Sequence, residues 1–125
     1  MVHRTKIFAL RIIKLVKVLP ANDAVALVLG KQLLGCGTSV GANYRSALRG
    51  RSNKDFLSRM SIAEEEADET IYWLELVIES GLVTKAKLFD LLNEANQLTA
   101  ILAAIIITKK KNIKLNLEAK FKVEK

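Results

Sequence analysis

The stretch that decides the fold reads QLLGCGTSVGANYR over residues 32–45, and a short basic turn then leads into RSNKDF over residues 51–56. Small residues recur through the first segment, and Gly30, Gly37 and Gly41 share one helix face. Each glycine inside a helix costs about 1 kcal/mol relative to alanine, so a compensating contact is expected. A phosphate-binding loop is the alternative, but no GxxxxGK[ST] pattern occurs and no strand precedes the glycines. The pattern therefore predicts a helix whose glycine face packs against a neighbouring helix.

Apolar residues at helical spacing extend on both sides of this stretch. They predict four helices at about residues 5–19, 22–48, 53–80 and 85–108. Pro20 ends the first helix, Asn22 or Asp23 can cap the second, and the Ser52-x-x-Asp55 pattern resembles a capping box at the third. The fold class is therefore all-α, with a four-helix bundle over residues 1–110.

The C-terminal tail, residues 111–125, departs from this pattern. Apolar and polar residues alternate strictly over residues 113–123, which is strand periodicity. A single strand has no pairing partner in a helical bundle, so the tail is expected to be disordered or an unpaired strand. Pairing with another chain and a non-native extension are the remaining possibilities.

Length and composition limit the class of protein. The chain of 125 residues has one cysteine, so it forms no internal disulfide and no cysteine-rich zinc site. Its longest apolar run, residues 98–107, is about half of a membrane span. We expect a cytoplasmic protein that does not associate with membranes. That run is apolar almost all the way round, which predicts contact with another subunit.

Charge is segregated along the chain, whose net charge is +7. Residues 36–60 contain five basic residues and one acid, whereas residues 61–82 contain seven acids and no base. The basic segments either pair with the acidic helix inside the fold or face an anionic partner. For Arg45 we predict structural ion pairs, with Glu65, Glu66 or Glu69. The candidate nucleic-acid-binding residues are Arg49, Arg51, Lys54 and Arg59.

The sequence contains no residue pattern typical of a catalytic site. A carboxylate-bridged metal pair in a helical bundle needs Glu-x-x-His motifs, and the single histidine is His3. Cys36 and Ser39 have no histidine partner for nucleophilic catalysis. The sequence therefore predicts no enzyme, no metal and no cofactor.

Trp73 and Leu76 lie on a different stripe of the third helix from its core-facing residues. A tryptophan away from the main core predicts a contact between subunits. Core packing within the subunit is the open alternative.

The sequence resembles the four-helix-bundle proteins of the 23S rRNA intervening-sequence family. The resemblance rests on residues 32–45 and 51–56, on EEEADETIYWLEL over residues 64–76 and on LLNEANQL over residues 91–98. It covers about residues 5–110, and Gly35 departs from it because relatives tend to carry a basic residue there. It implies an up-down-up-down bundle that assembles as a ring-like homopentamer. A related branch resembles the accessory proteins of diversity-generating retroelements, which bind nucleic acid and a reverse transcriptase.

Charge and resemblance together predict a non-enzymatic homo-oligomer that binds structured RNA or DNA through basic surface residues. The alternative is a scaffold that docks a protein partner, such as a reverse transcriptase.

Overall fold

A computed structural model describes the backbone of residues 1–124 and the side chains of residues 1–122. Consecutive helices pack against each other, and a looser contact between the first and the last closes the bundle. The all-α, four-helix prediction is confirmed for this part of the chain, in up-down-up-down order. The helices are α1 (Val2–Val18), α2 (Ala24–Leu48), α3 (Asn53–Glu79) and α4 (Lys85–Glu124).

Side chains cap the starts of two helices where the sequence suggested. The Asp23 carboxylate accepts a hydrogen bond from the Ala26 backbone N–H at 3.0 Å, at the start of α2. The Ser52 hydroxyl accepts one from the Asp55 N–H at 3.0 Å, at the start of α3. These caps satisfy N–H groups that have no partner inside the helix, and they fix the turns around the basic segment.

The glycine face of α2 packs against α1, which is the contact the small residues predicted. A Cβ atom added at Gly37 would lie 2.8 Å from Ile12 Cγ1, and one at Gly41 would lie 3.1 Å from Thr5 Oγ1. Gly30 approaches Val16 in the same way, at 3.2 Å. A Cβ at Gly37 would force Ile12 to shift, and one at Gly30 or Gly41 would need a smaller adjustment of its neighbour. The largest fully buried apolar side chains of the core are Phe8, Ile12, Leu33, Met60, Leu74, Leu98 and Leu102.

The tail is helical, which corrects the prediction of a disordered segment or an unpaired strand. Helix α4 continues without a break to Glu124. A lone strand would leave its backbone N–H and C=O groups unpaired, whereas a helix pairs them internally. No glycine or proline follows Gly81, so nothing stops the helix once it has formed. Alternating apolar residues are too weak a signal when no second strand is present.

Helices α2 and α4 each contain an 18-residue window that is long and apolar enough to cross a membrane by length and composition. The core helix of a soluble protein passes the same test. In α2, 44% of that window is buried inside the bundle, against 22% in α4. Helix α4 therefore leaves more of its apolar window exposed.

Candidate nucleic-acid interface

The end of α2 and the start of α3 line an open cleft of about 730 Å³. Arg45 lies in the last turn of α2, Arg49 is the C-cap residue that follows the helix, and both line the same cleft. Arg51 follows in the turn, and Arg59 comes from α3. We call this the arginine cleft; its lining is Ala42, Arg45, Ser46, Arg49, Arg51, Asp55 and Arg59.

The arginine cleft contains one acidic side chain, and that acid is already engaged. Arg59 Nε donates to Asp55 Oδ1 at 3.2 Å, and its Nη1 donates to the Ser46 hydroxyl at 2.7 Å. Among the side chains of residues 1–122, no carboxylate lies within 4.0 Å of Arg45, Arg49 or Arg51. Three guanidinium groups therefore face the same cleft with their charge uncompensated.

The predicted ion pairs between Arg45 and the acidic residues of α3 do not form in the described part of the chain. Arg45 is exposed and lines the cleft. The pKa of Glu66 is raised, mainly by burial and further by the neighbouring carboxylates of Glu69 and Glu65. The acidic face of α3 is therefore not neutralised by this arginine. The position of Arg45 beside small core-facing residues predicted the pairing. Ser46, the next residue, contacts Arg59, whereas Thr70 contacts Cys36, so the acidic residues of α3 lie nearer the middle of the bundle than Arg45 does.

Lys54 is exposed on the first turn of α3 and does not line the cleft. It precedes Asp55 in the sequence, and Asp55 does line the cleft. The structure thus brings Arg49, Arg51 and Arg59 together in the cleft, while Lys54 lies outside its lining.

One arginine that the sequence did not single out is held in a different way. Arg4 Nη2 and Nε donate to Glu94 Oε1 and Oε2 at 2.7 and 2.9 Å, and Nη2 also donates to Gln97 Oε1 at 2.8 Å. The hydrogen bonds from Arg4 lower the pKa of Glu94 below its usual range. These hydrogen bonds from Arg4 link α1 to α4, whose mutual contact is otherwise loose. Arg4 and Glu94 are 90 residues apart, so no local pattern could have revealed these bonds.

Trp73 and Leu76 are half-buried and pack against the core cluster. The Trp73 ring meets the Tyr72 ring edge-on at 5.0 Å between centroids. Its Nε1–H group is buried and has no hydrogen-bond partner among the described residues. Their predicted role in a subunit contact stays a prediction.

Cys36 is buried between α2 and α3. The Thr70 hydroxyl lies 3.2 Å from its Sγ and 2.7 Å from the Glu66 carbonyl oxygen, to which it can donate. Burial raises the pKa of the thiol, which disfavours the reactive thiolate. This environment is that of a packing residue.

Comparisons with known proteins identify the family to which the chain belongs. The family model described as "23S rRNA-intervening sequence protein" matches residues 1–104. Among curated proteins, none matches significantly. The chain is 38% identical to a protein with unknown function from the S23 ribosomal protein family of Bacteroides thetaiotaomicron, known from a crystal structure, with a TM-score of 0.78. That likeness covers 84% of this chain and 96% of the other. The resemblance found in the sequence is confirmed, and this chain belongs to the family of 23S rRNA-intervening sequence proteins.

Proposed function

We propose that this protein is a non-enzymatic, homo-oligomeric helical bundle that binds the phosphates of structured RNA or DNA in the arginine cleft. The observation that carries the proposal is the group of three arginines, Arg45, Arg49 and Arg51, which face one cleft without a carboxylate partner. Guanidinium groups match phosphate oxygens in a two-pronged geometry and stay charged at all physiological pH values. An uncompensated cluster of them has a strong preference for polyanions.

Oligomerisation is the second part of the proposal, as a ring-like homopentamer. It is supported by apolar surface that one subunit leaves open, including Ile107 on α4 at 55% exposure and Val25 and Val28 on α2. Several copies of the arginine cleft on one assembly raise the affinity for a long polyanion through avidity.

The experiment is binding of purified, nuclease-treated protein to duplex DNA and to structured RNA over a series of salt concentrations. We expect micromolar or tighter binding that weakens linearly on a log–log plot, because counterions are released from the phosphates. The slope gives the number of phosphates engaged. Absence of binding at low salt would contradict the proposal.

A protein-docking scaffold is the second candidate, and further exposed apolar residues, Leu10 on α1 and Phe89 on α4, support it. A partner such as a reverse transcriptase would cover them. Co-purification from the native host distinguishes the two candidates, because a single stoichiometric protein partner favours the scaffold. Inspection of neighbouring genes is a quicker test, since an adjacent retroelement would favour the same alternative.

A further inference from the structure

The last part of α4, residues 109–122, lies beyond the match to the family model and carries a charge pattern of its own. We call it the lysine arm. It contains six lysines and one acid, Glu118. We propose that the lysine arm is a second nucleic-acid-binding element, which extends the arginine cleft along the same duplex or folded RNA. This inference rests on the proposed function and adds a contact that the bundle alone does not provide.

The position of the arm carries the first step of the argument. Lys109 Nζ lies 5.2 Å from the centroid of the Phe56 ring, at the start of α3. Phe56 follows Asp55, which lines the arginine cleft. Because α4 runs antiparallel to α3, its C-terminal part leaves the bundle at the end that carries the cleft. Two basic elements from distant parts of the sequence therefore meet at one end of the molecule.

The charge of the arm is not balanced by the bundle. No carboxylate among the side chains of residues 1–122 lies within 4.0 Å of an arm lysine. At 1.5 Å per residue the arm is about 21 Å long, which corresponds to about six base pairs of a duplex. Lys110, Lys111, Lys114 and Lys122 fall within about a third of the helix circumference, so one backbone can pass along them. Glu118 lies on the same face, four residues from Lys114 and from Lys122, so the four lysines outnumber one acid there.

An apolar stripe of the arm lies beside three of its lysines. Ile113, Leu117 and Phe121 are four residues apart, so they form one stripe about 80° wide, and Leu117 and Phe121 are exposed. Lys111, Lys114 and Lys122 lie to one side of this stripe, so phosphates can reach them without covering it. A basic helix with an apolar stripe can also lie on an anionic membrane surface, and the test therefore includes vesicles.

The test compares two variants with the same change in net charge. In the arm variant, Lys110, Lys111, Lys114 and Lys122 are replaced by glutamine, which keeps the helix propensity. In the control, the same replacement is made at four exposed lysines outside this end, Lys14, Lys17, Lys31 and Lys87. We expect the arm variant to lower the log–log salt slope for duplex DNA by about 2 to 4. We also expect it to shorten the hydroxyl-radical footprint by about six base pairs. The control should change neither, and circular dichroism checks that both variants remain helical.

Each other result overturns the inference and says what fails. If the wild-type protein binds and the arm variant behaves like the control, the arm has no role, while the arginine cleft keeps its function. If the wild-type protein binds no nucleic acid at low salt, both proposals fall. If the arm variant loses binding only to vesicles of phosphatidylcholine with phosphatidylserine, the arm recognises lipid.

Discussion

Arg4 and the arginines of the cleft differ in whether a carboxylate accepts hydrogen bonds from them. Arg4 sits at the contact between α1 and α4, where Glu94 and Gln97 accept all of its short hydrogen bonds. Arg45 and Arg49 sit at the end of α2, where no described carboxylate reaches them. The charge of Arg4 is met by a carboxylate inside the bundle, whereas Arg45 and Arg49 have no acidic partner among the described side chains.

The number of charged residues in a segment therefore does not reveal which of them stabilise the fold. The acidic residues of α3 outnumber the arginines of the turn, yet they do not pair with Arg45. Glu94, which stands alone among apolar residues and amides, makes the best-formed ion pair. Arg59 lies between the two groups, since it binds Asp55 and Ser46 and still lines the arginine cleft.

The largest effect, on the affinity for RNA, is expected when basic residues at the end of α2 and the start of α3 are replaced by acids. Replacing Arg49, Arg51 and Lys54 by glutamate should weaken binding to structured RNA by about 100-fold or more, because attraction to phosphate becomes repulsion. The free energy of unfolding should change by less than about 0.5 kcal/mol, as these side chains are exposed. Fluorescence anisotropy and urea denaturation measure the two quantities.

The matched control for that variant reverses Lys14, Lys17 and Lys31, which are exposed and away from the cleft. Its net charge is the same. Equal loss of affinity in both variants would show that overall charge, rather than the arginine cleft, attracts nucleic acid.

Removal of the Arg4–Glu94 ion pair should change stability rather than nucleic-acid binding. Replacing Glu94 by glutamine should lower the free energy of unfolding by about 1 kcal/mol at neutral pH, because a charge-assisted fork that is only partly exposed is lost. Binding of nucleic acid should stay within about twofold, since Glu94 lies outside the arginine cleft. Chemical denaturation at several pH values checks the stability, and an unchanged midpoint would contradict a structural role.

The pH dependence of the same pair has a definite sign. Because Arg4 lowers the pKa of Glu94, the folded state favours the ionised carboxylate more than the unfolded state does. The stabilisation is therefore fully present above the unfolded pKa of about 4.3 and is lost as pH falls through the lower folded value. The stability difference between the wild-type protein and Arg4→Gln should shrink as the solution is acidified below about pH 4. A constant difference would contradict the ion pair.

The smallest effect concerns the unneutralised acids of α3. Burial and its acidic neighbours raise the pKa of Glu66, so the folded state disfavours the carboxylate. Stability linked to this group is present below the unfolded pKa and falls as pH rises through the folded one. Replacing Glu66 by glutamine should raise the free energy of unfolding at pH 7 by less than about 1 kcal/mol, with the gain vanishing near pH 4. Destabilisation at pH 7 would reveal a cation partner for Glu66.

The fold could be predicted from the sequence because its signals are local. Helical spacing, Asp23 and Ser52 as caps, and the glycines at residues 30, 37 and 41 each act over one or two turns. The helical state of the tail could not be predicted, because the alternation of apolar and polar side chains over residues 113–123 is typical of a strand. The backbone must satisfy its own hydrogen bonds, and it does so as a helix.

The candidate site was predicted in composition and only partly in arrangement. Arg49, Arg51 and Arg59 do meet in one cleft, since a short turn between two capped helices keeps them close. Arg45 was predicted as a structural residue and lines the cleft, while Arg4 is structural and was not noticed. Both errors concern contacts between residues far apart in the sequence, which spacing along one helix cannot report.

The most direct test is a crossed measurement on Arg45→Gln and Arg4→Gln, with RNA affinity and the free energy of unfolding determined for both. We expect Arg45→Gln to weaken binding by about fivefold to tenfold and to leave stability unchanged. We expect Arg4→Gln to lower the free energy of unfolding by about 1 kcal/mol and to leave binding unchanged. If Arg45→Gln instead destabilises the bundle without weakening RNA binding, the division into paired and unpaired arginines is wrong.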